Sequence, residues 1–338
     1  MKQAVFPGDG SVDLVDMDMP RAPDDWAVVK VEAIPLCTEY KGCFAGDTNP
    51  RIGHEAAGTV VEAGPRATVQ PGDRVVMMPS LACGHCEICE SGFYMHCENW
   101  HDYQAVQGTV AGIGTVCQYI ARPSFLLLPI PDELSIERGG LAGCALGPTF
   151  GAMQKLNVTA FDTVLITGLG PVGLGGVVNG HFRDARVIAA DPAPWRADRA
   201  RTMGADHVLD PTRGDPVAEI RELTDGRGVD YAVDCSGNIH GQRFCVDATR
   251  RLGGVAFVGE CHDPLAITVS EDMLRKGLHL VGNWHFNRHD YGRLLQVIED
   301  SDLLDLLVSH TMPMTQIESA FALQQAAESA KILLNPWE

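Results

Sequence analysis

The sequence lacks any apolar run that approaches the roughly 20 residues needed for a transmembrane helix. Its first residues, MKQAVFPGDGSVDL, also lack the apolar core of a secretory signal peptide, because Pro7, Gly8 and Asp9 interrupt it. The sequence contains no repeat of fixed period and no low-complexity tract. We therefore expect a globular, cytoplasmic protein that does not bind membranes.

Basic residues are scarce relative to acidic ones. The chain has 26 Lys and Arg against 44 Asp and Glu, which gives a formal net charge of −18. Binding to nucleic acid requires clustered Lys and Arg to neutralise phosphates, so a nucleic-acid partner is not expected. With 338 residues and 45% hydrophobic composition, the chain is long enough for two domains that each bury a core.

Cysteine is abundant, with 11 residues in a chain that shows no export signal. Disulfides are disfavoured in a reducing cytosol, so clustered cysteines indicate metal binding or catalysis. Cys83, Cys86, Cys89 and Cys97 follow a C-x2-C-x2-C-x7-C spacing in CGHCEICESGFYMHC. Four thiolates from one loop can complete the tetrahedral shell of a structural Zn2+. An iron–sulfur cluster and four metal-free cysteines are the alternatives.

The secondary-structure pattern changes near residue 150. Residues 1–145 contain short β-like runs broken by Gly and Pro, such as WAVVKVEAI (26–34) and AAGTVVEAG (56–64), and predict a mostly antiparallel unit. From 162 onwards strands alternate with helices, which predicts an α/β unit with a doubly wound parallel sheet. The helical stretches between these strands include 193–203 and 240–252, and further helical patterns follow at 290–307 and 315–329. We predict one domain from 1–147 and 286–338, with a cysteine lobe at about 80–100, and a second from 148–285.

GLGPVG (168–173) matches the G-x-G-x-x-G pattern of a dinucleotide site. The strand TVLIT precedes it and an apolar helix follows, so the context is the one in which glycines permit a tight turn and close approach to a pyrophosphate. The helix N-terminus offers free N–H groups to phosphate. A purely structural glycine turn is the alternative. The candidate cofactor residues of this segment are Gly168, Gly170, Pro171, Val172 and Gly173.

Asp191 lies at the end of the next predicted strand, close to the offset at which an acid binds the ribose hydroxyls. Its carboxylate would repel a 2′-phosphate, which favours NAD(H) over NADP(H). Arg196, five residues later, is also a candidate cofactor residue and weakens that preference because a cation can accommodate the 2′-phosphate.

Three further residues could form a second metal site. Cys37 in PLCTEYKG, His54 in RIGHEAAG and Cys144 in LAGCALGP supply two sulfurs and one imidazole. A catalytic Zn2+ takes about three protein ligands and leaves one position open. Each cysteine taken alone would be read as a small buried side chain, so at this point a structural role for Cys37 and Cys144 stays open.

Taken together, these motifs resemble those of the zinc-containing medium-chain dehydrogenases, the alcohol and polyol dehydrogenase superfamily, along the whole chain. The resemblance implies a GroES-like first domain, a Rossmann second domain and a cleft between them. It also implies that Cys37, His54 and Cys144 hold a catalytic zinc, and that Glu55 either contacts these ligands or alternates as a ligand itself. Lys331, in AKILL, is implied to lie near the cofactor pyrophosphate. A homodimer or homotetramer joined through 265–284 is a further implication.

The Cys37 loop departs from that family. The family usually has Ser or Thr two residues after the first zinc cysteine, then Asp, and the hydroxyl begins a proton relay. Here these places hold Glu39 and Tyr40, and Thr38 occupies the variable place between. We expect Glu39 to act as the general base if burial raises its pKa towards neutrality. Thr38 or Tyr40 would serve if the loop is shifted by one residue, and Glu39 could instead contact substrate or neighbour the zinc.

The sequence therefore predicts a zinc-dependent oxidoreductase that transfers hydride between NAD(H) and a small alcohol or carbonyl compound. A reductase of conjugated double bonds and a catalytically silent zinc and nucleotide-binding protein are the alternatives. Six residues are candidates for the substrate cleft, and their polar and aromatic character suits a polyol, sugar derivative or aminocyclitol, although an aromatic or aliphatic alcohol stays open. They are Glu39, Tyr40, Trp100, His101, Trp284 and His285.

Overall fold

The computed structural model describes all residues, 1–338, and contains sixteen strands and twelve helices. The strands are β1 Lys2–Pro7, β2 Asp13–Asp16, β3 Trp26–Pro35, β4 Thr48–Asn49, β5 Ala57–Ala63, β6 Arg74–Met77, β7 Tyr119–Pro123, β8 Leu127–Pro129, β9 Thr163–Thr167, β10 Arg186–Ala190, β11 His207–Leu209, β12 Val229–Asp234, β13 Thr249–Phe257, β14 His279–Gly282, β15 Val308–Pro313 and β16 Lys331–Asn335.

The helices are mostly short, and none combines the length and apolarity needed to cross a bilayer. They are α1 Glu39–Ala45, α2 Glu87–Glu90, α3 Tyr103–Gln107, α4 Ile136–Gly140, α5 Gly147–Leu156, α6 Pro171–His181, α7 Pro194–Thr202, α8 Pro216–Leu223, α9 Ile239–Ala248, α10 Tyr291–Asp300, α11 Leu304–Leu307 and α12 Ile317–Gln325.

A seven-stranded sheet combines strands from both ends of the chain. Its order is β15-β16-β3-β5-β6-β8, and β7 pairs with β3 outside this path. All of these pairs are antiparallel except β15–β16, which is parallel. A small sheet, β2-β1-β4, lies beside it. The C-terminal strands thus return to the sheet of the first domain. The domain boundaries themselves stay predictions.

The middle of the chain forms a six-stranded sheet in the order β11-β10-β9-β12-β13-β14. Every pair in it is parallel, as predicted for a doubly wound fold. The central strand β9 is apolar and solvent-inaccessible at Val164, Leu165 and Ile166, which is typical of a parallel strand covered by helices on both faces. The predicted fold class, a β-rich domain plus a Rossmann domain, is confirmed.

Two predicted helices end earlier than expected. The segment 290–307 contains α10 and α11 with a break at Ser301, whose hydroxyl oxygen accepts a hydrogen bond from the backbone N–H of Leu303 (3.3 Å). Serine side chains compete with the helical backbone in this way. The segment 240–252 is helical only to Ala248, because β13 begins at Thr249 and pairs with β12.

Candidate active site

The structure brings together the predicted ligands of the open metal site. Cys37 lies in the loop after β3, His54 precedes β5, and Cys144 lies in a short π-helical turn, Ala142–Leu146, before α5. One donor atom from each of these residues, and one carboxylate oxygen of Glu55, all lie within 4.8 Å of one another. Residues distant in sequence thus offer two sulfurs, an imidazole nitrogen and a carboxylate around one point.

The two thiols of this site are buried and lie close together. The Sγ atoms of Cys37 and Cys144 are 3.5 Å apart. The hydrogen bond from Cys144 lowers the pKa of Cys37 well below its usual range, and the same bond raises the pKa of Cys144. The site therefore readily holds one thiolate. Two sulfurs and one imidazole form a donor set that suits Zn2+, so the residues present fit the predicted metal.

Glu55 lies beneath the metal-ligand residues and is held from two sides. Its Oε2 accepts a hydrogen bond from the backbone N–H of Cys144 (2.8 Å), and its Oε1 pairs with the Lys331 ammonium. Oε1 is also 3.8 Å from His54 Nε2. Burial raises the pKa of Glu55, while the charge of Lys331 lowers it, with a net increase. These contacts place Glu55 as a fourth potential donor.

Lys331 lies at the metal-ligand cluster, and its place near the cofactor pyrophosphate stays a prediction. Lys331 is fully buried in β16 with its ammonium group on Glu55, and it does not line the large cavity in which a cofactor would fit. A buried lysine needs a carboxylate partner, and Glu55 is that partner here. The positive charge thus acts at the metal-ligand cluster.

The condition set for Glu39 as the general base, a pKa raised by burial, is not met in this structure. Burial alone would raise it, but the charge of His54 outweighs this effect and the pKa of Glu39 falls to about 2. Glu39 Oε1 lies 2.9 Å from His54 Nδ1, and its Oε2 accepts the backbone N–H of Cys37 at 2.7 Å. Both oxygens face the metal-ligand residues, so Glu39 orients His54 and the Cys37 loop. His54 Nε2 is left to face Glu55.

The other candidate substrate residues lie at different places around the metal-ligand cluster and the two cavities. Tyr40 lines the large cavity described below. Trp100 and Trp284 stack on each other, with ring centroids 6.4 Å apart and planes 8° apart. His285 lies edge-on to the ring of His54 at 5.9 Å. His101 packs against Trp26 instead, but it still lines a second cavity that reaches His54.

A large cavity of about 760 Å3 runs from Cys37 and Thr38 to the glycine-rich turn and beyond it to Asp191. Gly168 has φ +80°, and a Cβ there would lie 2.4 Å from Ser236 Cα, so only glycine fits this turn. A Cβ on Gly173 would lie 1.8 Å from the Gly168 carbonyl oxygen. At Gly170 the nearest atoms belong to Arg196, at 3.9 Å. Pro171 and Val172 begin α6 and line the same cavity.

Asp191 and Arg196 both line this cavity. The Asp191 carboxylate accepts the backbone N–H groups of Leu169 (2.6 Å) and Ala193 (2.8 Å), which fix its position and leave lone pairs for further hydrogen bonds. Arg196 donates to the Gln324 carbonyl oxygen at 3.4 Å, and its Nε is buried without a partner. One anchored carboxylate and one incompletely paired guanidinium thus line the cavity.

The four-cysteine segment forms a second donor cluster. The Sγ atoms of Cys83, Cys86, Cys89 and Cys97 lie within 4.8 Å of one another. Cys97 Sγ accepts backbone N–H groups from Cys83 and Asn99, each at 3.3 Å. Such N–H bonds stabilise thiolates, and four sulfurs complete a tetrahedral shell, so this cluster fits a structural zinc. His85 hydrogen-bonds the Cys83 carbonyl and adds no ligand.

Several site residues were not predicted from the sequence. Gln324, in α12, donates to the Cys37 carbonyl oxygen (2.8 Å) and lines the large cavity. Ser236, Asn238 and Arg243 line its far end. Arg51 lies in the cavity beside His54, and its position three residues before His54 was a signal in the sequence that could have revealed it.

Sequence comparisons agree with this architecture. A family model described as a zinc-binding dehydrogenase matches residues 171–300, and one described as an alcohol dehydrogenase GroES-like domain matches residues 23–132. The fold and the two cysteine-containing sites therefore define a zinc-type alcohol dehydrogenase.

The chain belongs to the zinc-containing medium-chain dehydrogenase/reductase superfamily, and it is an oxidoreductase of the alcohol and polyol dehydrogenase class. The L-threonine 3-dehydrogenase of Symbiobacterium thermophilum is 31% identical over 330 residues, covering 91% of this chain and 90% of that enzyme. The sorbitol dehydrogenase of Bacillus subtilis is 32% identical over 273 residues, covering 77% and 75%. The alcohol dehydrogenase of Thermus sp. ATN1 has a TM-score of 0.89 at 26% identity, over 99% of both chains.

Proposed function

We propose that this protein is an NAD(H)-dependent zinc alcohol dehydrogenase that acts on a hydroxyl-rich substrate. The convergence of Cys37, His54, Glu55 and Cys144 donor atoms at the end of the large cavity supports this proposal most directly. When bound, zinc would polarise the substrate oxygen and the nicotinamide would exchange hydride with the substrate carbon. The similarity to a sorbitol dehydrogenase favours a polyol.

The preference for NAD(H) is supported by the position of Asp191. Its carboxylate is only 5% exposed and lines the cavity at the end of β10. Two backbone N–H groups hold the carboxylate in place, so it cannot turn away from an incoming 2′-phosphate. The adjacent Arg196 is available for a phosphate of the pyrophosphate bridge, because its guanidinium lies over Gly170.

Thr38 is the residue we assign to proton transfer. It is exposed in the large cavity, directly after Cys37, and its hydroxyl makes no capping hydrogen bond to α1. Its Oγ1 is therefore free to accept the proton of a substrate hydroxyl held at the metal-ligand cluster and to pass it on to solvent. Glu39, with both oxygens turned towards His54 and Cys37, takes a positioning role.

The decisive experiment measures cofactor and substrate use by zinc-loaded protein. We expect oxidation of a polyol panel with NAD+, and kcat/KM at least about tenfold lower with NADP+, because the buried Asp191 carboxylate opposes the extra phosphate. Asp191→Gly should reduce the ratio of kcat/KM with NAD+ to kcat/KM with NADP+. With reduced cofactor labelled with deuterium at C4, the label should appear on a carbinol carbon.

Two outcomes would reject the proposal. Label on an alkene-derived carbon would identify a reductase of conjugated bonds. Zinc at only one site, with no turnover of any alcohol, would identify a silent binding protein.

A further inference from the structure

A second cavity of about 530 Å3 opens on His54. His54 is part of its wall, whereas Cys37 lines the larger cavity, so the metal-ligand residues lie between the two cavities. A substrate whose hydroxyl reaches these residues can therefore extend its remaining atoms into the second cavity. The following inference rests on the dehydrogenase function proposed above and concerns the chemistry of that substrate.

Arg51 is an unpaired cation in this cavity. It is exposed, it lines the cavity wall, and its guanidinium forms neither an ion pair nor a side-chain hydrogen bond. Only its backbone is engaged, with the N–H donated to Asn49 Oδ1 at 2.9 Å. All five guanidinium N–H donors are thus free, and their planar arrangement matches a carboxylate or a phosphate.

Arg122 adds a buried cation to the same wall. It is 3% exposed and lines the cavity, yet no carboxylate pairs with it. Its guanidinium donates to the carbonyl oxygens of Gly112 (2.9 Å), Ala121 (2.7 Å) and Ile113 (2.6 Å), and its Nε has no partner. Carbonyl oxygens satisfy donors but do not neutralise charge, so Arg122 contributes a positive field to the cavity.

One acidic side chain opposes these two cations. Asp102 lines the cavity, but its Oδ1 is used to cap α3 by accepting the backbone N–H of Ala105 (3.0 Å). The lining is therefore cationic on balance, in a chain whose overall charge is −18. Polar side chains of Ser80 and Gln104 and the ring of Trp100 complete a wall suited to a hydroxylated chain.

We propose that the second cavity binds the anionic end, a phosphate or a carboxylate, of a hydroxyl-bearing substrate whose opposite end reaches His54. Arg51 pairs with the anion at the cavity wall, and Arg122 supports it from the buried part of the wall. An uncharged polyol fits the same cavity but leaves the Arg51 guanidinium without a partner. Anionic substrates are therefore preferred over uncharged ones of the same length.

The kinetic test compares a pentitol, its phosphate monoester and the matching aldonate as substrates of zinc-loaded protein. At least one of the two anions should have the higher kcat/KM. Arg51→Gln should lower kcat/KM for that anion by roughly ten- to one-hundred-fold, with most of the effect in KM, and should change the pentitol value much less. Arg51→Lys should restore part of the loss. The anion with the higher kcat/KM shows whether the natural substrate carries a phosphate or a carboxylate.

A binding test reads the same site without turnover. Inorganic phosphate is titrated calorimetrically into the full chain in the presence of NADH, which occupies the glycine-rich turn. Arg51→Gln should weaken phosphate binding about tenfold or more. Arg293→Gln is the matched control, because Arg293 is exposed on α10, forms no ion pair and lines neither cavity.

Several results would overturn the inference. Equal losses for the pentitol and the anions in Arg51→Gln, or phosphate binding that responds only to Arg196→Gln, would show that Arg51 recognises no anion. A preference of the native protein for the pentitol would do the same while leaving the dehydrogenase function intact. If no alcohol is oxidised at all, the dehydrogenase proposal fails. The phosphate titration alone then shows whether Arg51 binds an anion.

Discussion

At the residue scale, the Cys37 loop shows how a shift of one position changes the roles of its side chains. Thr38 follows the zinc-ligand cysteine directly and opens into the large cavity, while Glu39 turns back towards His54. The sequence motif alone allowed either residue to carry a proton. Only the direction of the two side chains distinguishes them, and that direction depends on where α1 begins, at Glu39.

We predict that Thr38→Val lowers kcat by roughly 10²- to 10⁴-fold, the usual contribution of a positioned proton-transfer group. The zinc content should stay unchanged, because Thr38 is not among the clustered donor residues. Steady-state kinetics with metal analysis on the same sample measures both quantities. Thr38→Ser is the matched control and should retain most of the activity.

Glu39→Gln should give the opposite pattern. Its carboxylate holds His54 and the Cys37 backbone, so its loss should weaken zinc affinity roughly 10- to 100-fold, while zinc-saturated protein keeps most of its turnover. A large loss of kcat at full zinc occupancy in Glu39→Gln, with Thr38→Val nearly normal, would assign the proton to Glu39.

At the element scale, several predicted strands and helices of the cofactor domain agree with the structure because they are compact apolar runs bounded by Gly or Pro. Strand β9 and helix α6 are examples.

The candidate active site was only partly predictable from the sequence. Cys37, His54 and Cys144 carry diagnostic chemistry, whereas Gln324 and Arg122 are ordinary residue types. The contact of Gln324 with Cys37 joins positions 287 residues apart, and no local pattern encodes such a contact.

The guanidinium of Arg243, in helix α9, binds Asp272, which lies in the segment Val269–Leu274 before strand β14. Arg243 donates to both carboxylate oxygens of Asp272, each at 2.8 Å, and Asp272 also accepts the backbone N–H of Thr268 at 2.8 Å. The hydrogen bonds from Arg243 lower the pKa of Asp272 from 3.8 to about 2. The folded state therefore favours the ionised carboxylate.

We predict that Asp272→Asn lowers the free energy of unfolding by about 1 to 2 kcal/mol at pH 7. Because the folded pKa lies below the unfolded one, this stabilisation is complete above about pH 4 and is lost as the pH falls towards 2. Urea unfolding at pH 7, 4 and 3 measures it. Asp263→Asn, at an exposed carboxylate without an ion pair, should have no comparable effect, and a pH-independent difference would contradict the assignment.

At the scale of the whole molecule, segments from both ends and the middle of the chain meet at the metal-ligand cluster. His285, which follows β14, packs on His54, and Asn283 donates to the carbonyl oxygens of Pro148 (2.7 Å) and His285 (2.8 Å). The two sheets therefore share one contact region beside the candidate catalytic metal. The four-cysteine cluster lies in a separate loop that supplies no residue to the His54 site. Two sites with different exposure should bind zinc with different kinetics.

We predict two zinc ions per chain that leave in two steps. A moderate chelator such as dipicolinate should first remove the ion at Cys37, His54 and Cys144, because the His54 side chain is 34% exposed and an open position admits the chelator. Activity should vanish while the melting temperature changes little. The second ion should leave only after thiol modification, since Cys83, Cys89 and Cys97 are buried, and the melting temperature should then fall.

Metal analysis, activity and thermal unfolding on the same chelation series test this order. Cys261→Ser is the control for the thiol reagent, because Cys261 is partly exposed and belongs to neither cluster. Simultaneous loss of both ions would mean that the two sites are equally open. Full activity after loss of the first ion would show that the reaction does not need the metal at His54. Catalysis would then proceed without the only donor cluster that adjoins both cavities.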